Sequence, residues 1–192
     1  LDIPIRHILI GVGFFRYAVN SLIETIVLEN ASISGRNNVG AVVGYASDCY
    51  ISECSVLSGT VSGNQCVGGV VGYINRSVQG CENKANGDIT LEGNVVLTRT
   101  NAQSGYNVGG IYAYHSTDGA HKDNTNRGDI NVYTSTSKHS SATEAQTTYY
   151  KMDIGGICGH VQRPAEGKEE NFGNITIGKA SGEALNITAN TI

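Results

Sequence analysis

The chain has no tryptophan and only three phenylalanines among 192 residues, which excludes a broad core of large aromatics. It has no apolar run long enough for a membrane helix, which takes about 20 residues. It has no basic run either. The formal charge is −4, from 13 Lys and Arg against 17 Asp and Glu, which argues against nucleic acid as a partner. Helical periodicity is missing throughout, and only residues 1–18 are apolar enough to leave a short helix or a cap open. No HExxH zinc helix, nucleophile elbow or phosphate loop is present, so the chain reads as a non-enzyme. The five cysteines, Cys49, Cys54, Cys66, Cys81 and Cys158, are odd in number, and no pair has zinc-finger spacing. Free thiols packed as small hydrophobes are the preferred reading. A disulfide between stacked Cys54 and Cys81 is the alternative. There is no initiator Met and no recognisable signal peptide, and both ends are apolar, so a segment of a longer protein or a mature product is expected.

What the chain does have is one motif five times over: Gly11–Tyr17 (GVGFFRY), Val39–Tyr45 (VGAVVGY), Val67–Tyr73 (VGGVVGY), Val108–Tyr114 (VGGIYAY) and Ile154–His160 (IGGICGH). The closing aromatics are 28, 28, 41 and 46 residues apart. Spacings of this size mark a stacked-repeat architecture. Each unit alternates short β-branched runs with Gly, Asn, Asp and Ser, a strand–turn pattern. The Gly pairs 68–69, 109–110 and 155–156 recur at one place in the unit, as a corner repeated on every turn would require. The expected fold is therefore all-β: one domain over residues 1–192, a right-handed parallel β-helix (β-solenoid) of five to six coils. Val42, Val70, Ile111 and Ile157 would form an inward ladder, with Phe14 in the first unit. The extra length of the later units falls in residues 94–107 and 134–151, Ser/Thr-rich insertions that read as solvated loops or as a binding edge.

Parallel coils about 4.8 Å apart would bring equivalent side chains together. A gapless alignment pairs Glu82 with Asp123, Asn83 with Asn124, and Asp88 with Asp129. Paired carboxylates would suit a calcium ion or an acid/base couple. The simpler reading makes them solvated turn residues. Tyr45, Tyr73 and Tyr114, with Tyr17 below them, would form an aromatic ladder. Facing outward, it would bind sugar rings or a protein; closing a corner of the core, it would be structural, the preferred reading, although neither the alternation nor the flanking small residues settles the facing. His160 takes the ladder position in the last unit. His115 and His121 flank one turn and would be the start of a metal site, although no metal is assigned. Arg127-Gly128-Asp129 spells an integrin-ligand tripeptide, but Gly87-Asp88 already occupies the same slot in the repeat. Sequons begin at Asn30, Asn75, Asn174 and Asn186.

Extended past the closing aromatic, the second and third anchors run VGAVVGYASDCYISECSVLSGTVSG and VGGVVGYINRSVQGCENKANGDIT. These stretches resemble the GLUG repeat of bacterial cell-surface and secreted proteins. The likeness is clear over Val39–Leu91 and fair over Val108–Val132. Arg16 and Ala113 depart from it where the pattern has Gly. These repeats accompany adhesin-like proteins of gut bacteria and streptococcal immunoglobulin A proteases. The resemblance implies an extracellular, non-catalytic solenoid segment. It further implies an adhesin-like module that presents loops or a face to a glycan or host protein, or a stalk that carries another domain such as a protease. A carbohydrate-active β-helix using stacked carboxylates is a third expectation. Open ends would favour end-to-end association.

Overall fold

A computed structural model of the chain describes residues 11–63, 65–74, 78–79, 82–83, 89–95, 106–115, 121–134, 152–162 and 166–179. Among them every regular element is a strand. The strands form five sheets, and all the pairings within them are parallel. The chain visits the sheets in a fixed order and then begins again, so each sheet takes one strand from each successive unit.

The first sheet holds Asn37–Gly40, Gln65–Gly68, Tyr106–Gly109 and Met152–Gly155. The second holds the anchors: Phe15–Val19, Val43–Ser47, Val71–Ile74, Tyr112–His115 and Cys158–Val161. The third has Leu22–Glu24, Tyr50–Ser52, Val78–Gln79 and His121–Lys122. The fourth has Val27–Leu28, Ser55–Val56, Glu82–Asn83, Asn124–Asn126 and Glu169–Asn171. The fifth has Ala31–Ser34, Gly59–Ser62, Ile89–Val95, Asp129–Thr134 and Ile175–Lys179.

The anchors fall into register as the sequence implies. Tyr17 pairs with Tyr45, Tyr45 with Tyr73, Tyr73 with Tyr114, and Tyr114 with His160. The turn between the first two sheets explains the glycines. A Cβ on Gly68 would collide with the Val71 carbonyl oxygen. At the same place in the next units, one on Gly109 would collide with Tyr112 O and one on Gly155 with Cys158 O. Within the strands of the first sheet, Asn38 (φ 48°) and Cys66 (φ 46°) are left-handed at equivalent positions, a conformation that Asn tolerates and Cys adopts less readily.

The core is narrow and aliphatic through the second and third units. Val39, Val42, Val43, Ala46, Ile51, Val56, Val61, Val67, Val70, Val71 and Ile74 are all fully buried. The inward ladder forms: Val42 N bonds to Val70 O, Val70 N to Ile111 O, and Ile111 N to Ile157 O. Phe14 does not join it. Its N–H bonds to Ala41 O, one position off the ladder, and its ring is 63% exposed. The first unit is open on one side among the described residues, and it also exposes Phe15, Tyr17, Val19, Leu22 and Val27.

The gapless alignment of the third and fourth units fails. Val78 pairs with His121, Glu82 with Thr125, and Asn83 with Asn126, so Asn124 and Asp123 are not the partners expected. Six residue steps separate His115 from His121, where four separate Ile74 from Val78. The slip then reverses, and Thr90 pairs with Asp129 and Leu91 with Ile130. Turns absorb length changes of this kind without disturbing the buried strands. The stacking of Asp88 on Asp129 is therefore not what the register gives. Asp88 itself, Cys81 and nearly all of both insertions lie outside the described residues.

Candidate binding stripe and a buried polar cluster

The anchor sheet carries a continuous stack of rings. Centroids lie 5.3 Å apart for Tyr17–Tyr45, 4.6 Å for Tyr45–Tyr73, 5.0 Å for Tyr73–Tyr114 and 5.0 Å for Tyr114–His160. The planes are within 19° of parallel at every step. The spacing is that of paired strands, so the backbone register sets the stack. Tyr17 is 48% exposed, and Tyr45, Tyr73, Tyr114 and His160 are half-buried. The ladder is thus at the surface rather than inside the core.

Its chemistry is set by the stacking. Each inner ring spends both faces on its neighbours, leaving the edges and the phenol oxygens. Burial raises the Tyr45 phenol above its usual value, and Tyr73 and Tyr17 beside it add to the rise. Burial also raises Tyr114, helped by Tyr73 and opposed by the hydrogen bond that Gln162 Nε2 donates to Tyr114 Oη at 2.8 Å. At the end of the ladder His160 Nδ1 sits 2.8 Å from Asp153 Oδ2.

Asp129 stands apart from this stripe, exposed on the fifth sheet. Its Oδ1 accepts from the Asn174 N–H at 2.8 Å and from Asn174 Nδ2 at 3.0 Å. That is a turn clasp between the fourth and fifth units. The integrin-like tripeptide is tied down as well. Arg127 lies 4.5 Å over the Phe172 ring, and Gly128 is buried against Asn126. No group of three or more His, Cys, Asp or Glu suited to a metal ion occurs among the described residues. Among the described residues Cys49, Cys54, Cys66 and Cys158 form no disulfide with one another. Burial pushes the Cys66 thiol up to about 11 against the hydrogen bond from Asn107.

A second constellation, of which sequence reasoning singled out only His115 and His121, lies between the fourth and fifth units. Tyr112 and His115 are fully buried and His121 is 3% exposed. Tyr112 Oη and His121 Nδ1 share a 2.8 Å hydrogen bond. The His115 and His121 rings meet edge-on at 5.0 Å. Glu169 Oε1 accepts from Asn124 Nδ2 at 2.9 Å and lies 3.7 Å from His121 Nδ1. Glu169 Oε2 is buried with no hydrogen-bond partner. Cys158 packs above Tyr112, and burial drives its thiol well up; Tyr112 opposes this by a hydrogen bond, while Glu169 and Asp153 add to it. The signal in the sequence was available. Tyr112 falls where Val43 and Val71 stand, and His115 where Ala46 and Ile74 stand.

No protein-family model, curated protein or solved structure matches the chain. No helix among the described residues is long and apolar enough to cross a membrane.

Proposed function

We propose that the parallel sheets wind as a right-handed β-helix of the GLUG-like, extracellular kind, and that the chain is a non-catalytic binding module. The observation that carries this is the stripe Tyr17–Tyr45–Tyr73–Tyr114–His160, one partly exposed ring per unit. The partner we infer is a linear glycan or a host protein lying along the stripe. Because the inner ring faces are occupied, such a ligand would meet phenol edges and hydroxyls, and would stack only at the two ends. The exposed apolar side chains of the first unit support end-to-end association as part of the same reading.

The same stacking favours a second reading, in which the ladder stiffens a stalk. Replacing Tyr45, Tyr73 and Tyr114 together by Phe separates the two. The change keeps the rings stacked and removes the hydroxyls. A glycan-array and host-matrix screen, run with and without calcium, would show binding by the parent protein and its loss in the triple variant, with the β-sheet circular dichroism intact. Absence of binding to every target would leave the stalk.

A further inference from the structure

The stripe of rings repeats at a nearly fixed interval, and that interval narrows what fits along it. Its steps are 5.3, 4.6, 5.0 and 5.0 Å, with no plane turned more than 19° from the next. Parallel pairing of the anchor strands sets the step, so the stripe advances once per coil. Building on the binding-module reading above, we propose that its ligand is an uncharged, fully extended pyranose polysaccharide seated one sugar per coil.

The interval is the first reason. An equatorially linked pyranose chain in its extended form advances by close to the coil spacing of about 4.8 Å per sugar. Such a chain keeps step with the rings of all five units. An extended peptide advances about 3.3 Å per residue and turns alternate side chains away, so its groups do not recur at the ring interval.

Charge is the second reason. A phenol is uncharged at neutral pH, and burial moves Tyr45 and Tyr114 further from ionising. The stripe is therefore neutral up to His160, and a polyanion or polycation finds no counter-charge in its rings.

The third reason is hydrogen bonding. Each inner ring is covered on both faces, so the phenol hydroxyls meet the ligand. Successive sugars of the extended chain are turned over and present opposite edges. A phenol hydroxyl both donates and accepts, so it suits either edge. A bond along the ladder, such as that between Tyr45 and Tyr73, does not exhaust it. At Tyr114, Gln162 Nε2 donates to Oη at 2.8 Å, so this hydroxyl meets the ligand as a donor. His160 closes the run: its Nδ1 is held by Asp153 at 2.8 Å, which leaves Nε2 for the last sugar.

Isothermal titration calorimetry with cello- and chito-oligosaccharides of two to six sugars tests this. Each sugar added up to the fifth should tighten binding by about fivefold, the worth of one net hydrogen bond. The sixth should add little. Malto-oligosaccharides, whose axial linkage coils the chain, should show no such gain. Tyr73→Phe keeps a ring in the stack and should weaken binding of the five-sugar ligand by about fivefold. Tyr50→Phe, on the third sheet and outside the stack, should leave it unchanged. Affinity that does not depend on length, that climbs equally in the malto series, or that ignores Tyr73→Phe overturns the proposal and leaves the binding-module reading in place. Binding to host-matrix proteins alone does the same. Failure of every glycan and every matrix protein to bind removes both.

Discussion

The second and third units and the fourth and fifth units solve the same packing problem with different chemistry. Below, Val43, Ala46, Ile51, Val71 and Ile74 fill the interior with β-branched or small aliphatics, each fully buried. Above, Tyr112, His115, His121, Asn124 and Cys158 occupy the corresponding space: Tyr112 bonds to His121, Asn124 bonds to Glu169, and the His115 ring packs edge-on against His121. Aliphatic burial is indifferent to pH and tolerant of small shifts. A polar network holds its register through specific partners and loses more when one is removed. The backbone register is continuous across both regions, so the fold does not require the change. The polar junction is a local property of these side chains.

Moving one residue of the upper chemistry into the lower core should break the comparison most sharply. Ile51→His places an imidazole at a fully buried position with Ile23 and Val78 in register and, among the described residues, no counterpart of Tyr112 or Glu169 beside it. A buried polar ring without partners should cost about 3–5 kcal/mol. The reverse change, His121→Val, restores the residue type of the third unit and deletes one partner of Tyr112. It should cost about 1–2 kcal/mol at neutral pH. Chemical denaturation of both variants checks the asymmetry. Equal losses would mean that the two interiors do not differ in polar partnering.

The ladder crosses both regions, so it tests whether they share one exterior. Tyr73→Ala removes two ring contacts and Tyr17→Ala one. At about 0.5–1.5 kcal/mol per aromatic pair, the first should cost about 2 kcal/mol and the second about 1 kcal/mol. Unfolding midpoints that do not distinguish the two would show that stacking contributes little beyond what each ring buries.

Much of this was legible in the sequence where the spacing is regular. The 28-residue period predicts the pairing of Tyr17, Tyr45 and Tyr73, and the Gly pairs mark a corner at which a Cβ does not fit. The parallel, helix-free character was readable for the same reason. Legibility failed where turns change length. A side chain's neighbours depend on register, and two unequal length changes of opposite sign between the third and fourth units move Asp129 from Asp88 to Thr90. The facing of the ladder was not readable either, because alternation gives the side of a strand but not whether that side is covered. The polar cluster was seen only as the His115–His121 turn, because Tyr112 sits within an anchor, Glu169 is far away in sequence, and only the correct turn lengths place His121 in line with Val78.

The smallest expected effect concerns alkali, where the comparison reverses: the exposed ladder titrates and the aliphatic core does not. The Tyr45 and Tyr114 phenols are raised above 10.0 in the folded protein, chiefly by burial. Between the unfolded and folded values the folded chain keeps protons that the unfolded chain has lost. Stability from these groups is therefore complete below about pH 10 and declines as pH rises through the folded values. Both rings lie at the surface and are only half-buried, so solvent screens the effect and the decline should be shallow. Denaturant midpoints measured from about pH 8 to pH 11 should fall more steeply for the parent protein than for Tyr45→Phe/Tyr114→Phe, which keeps the stack without these two phenols. Parallel curves would mean that the ring faces, and not the hydroxyl environment, account for everything the ladder contributes to the fold.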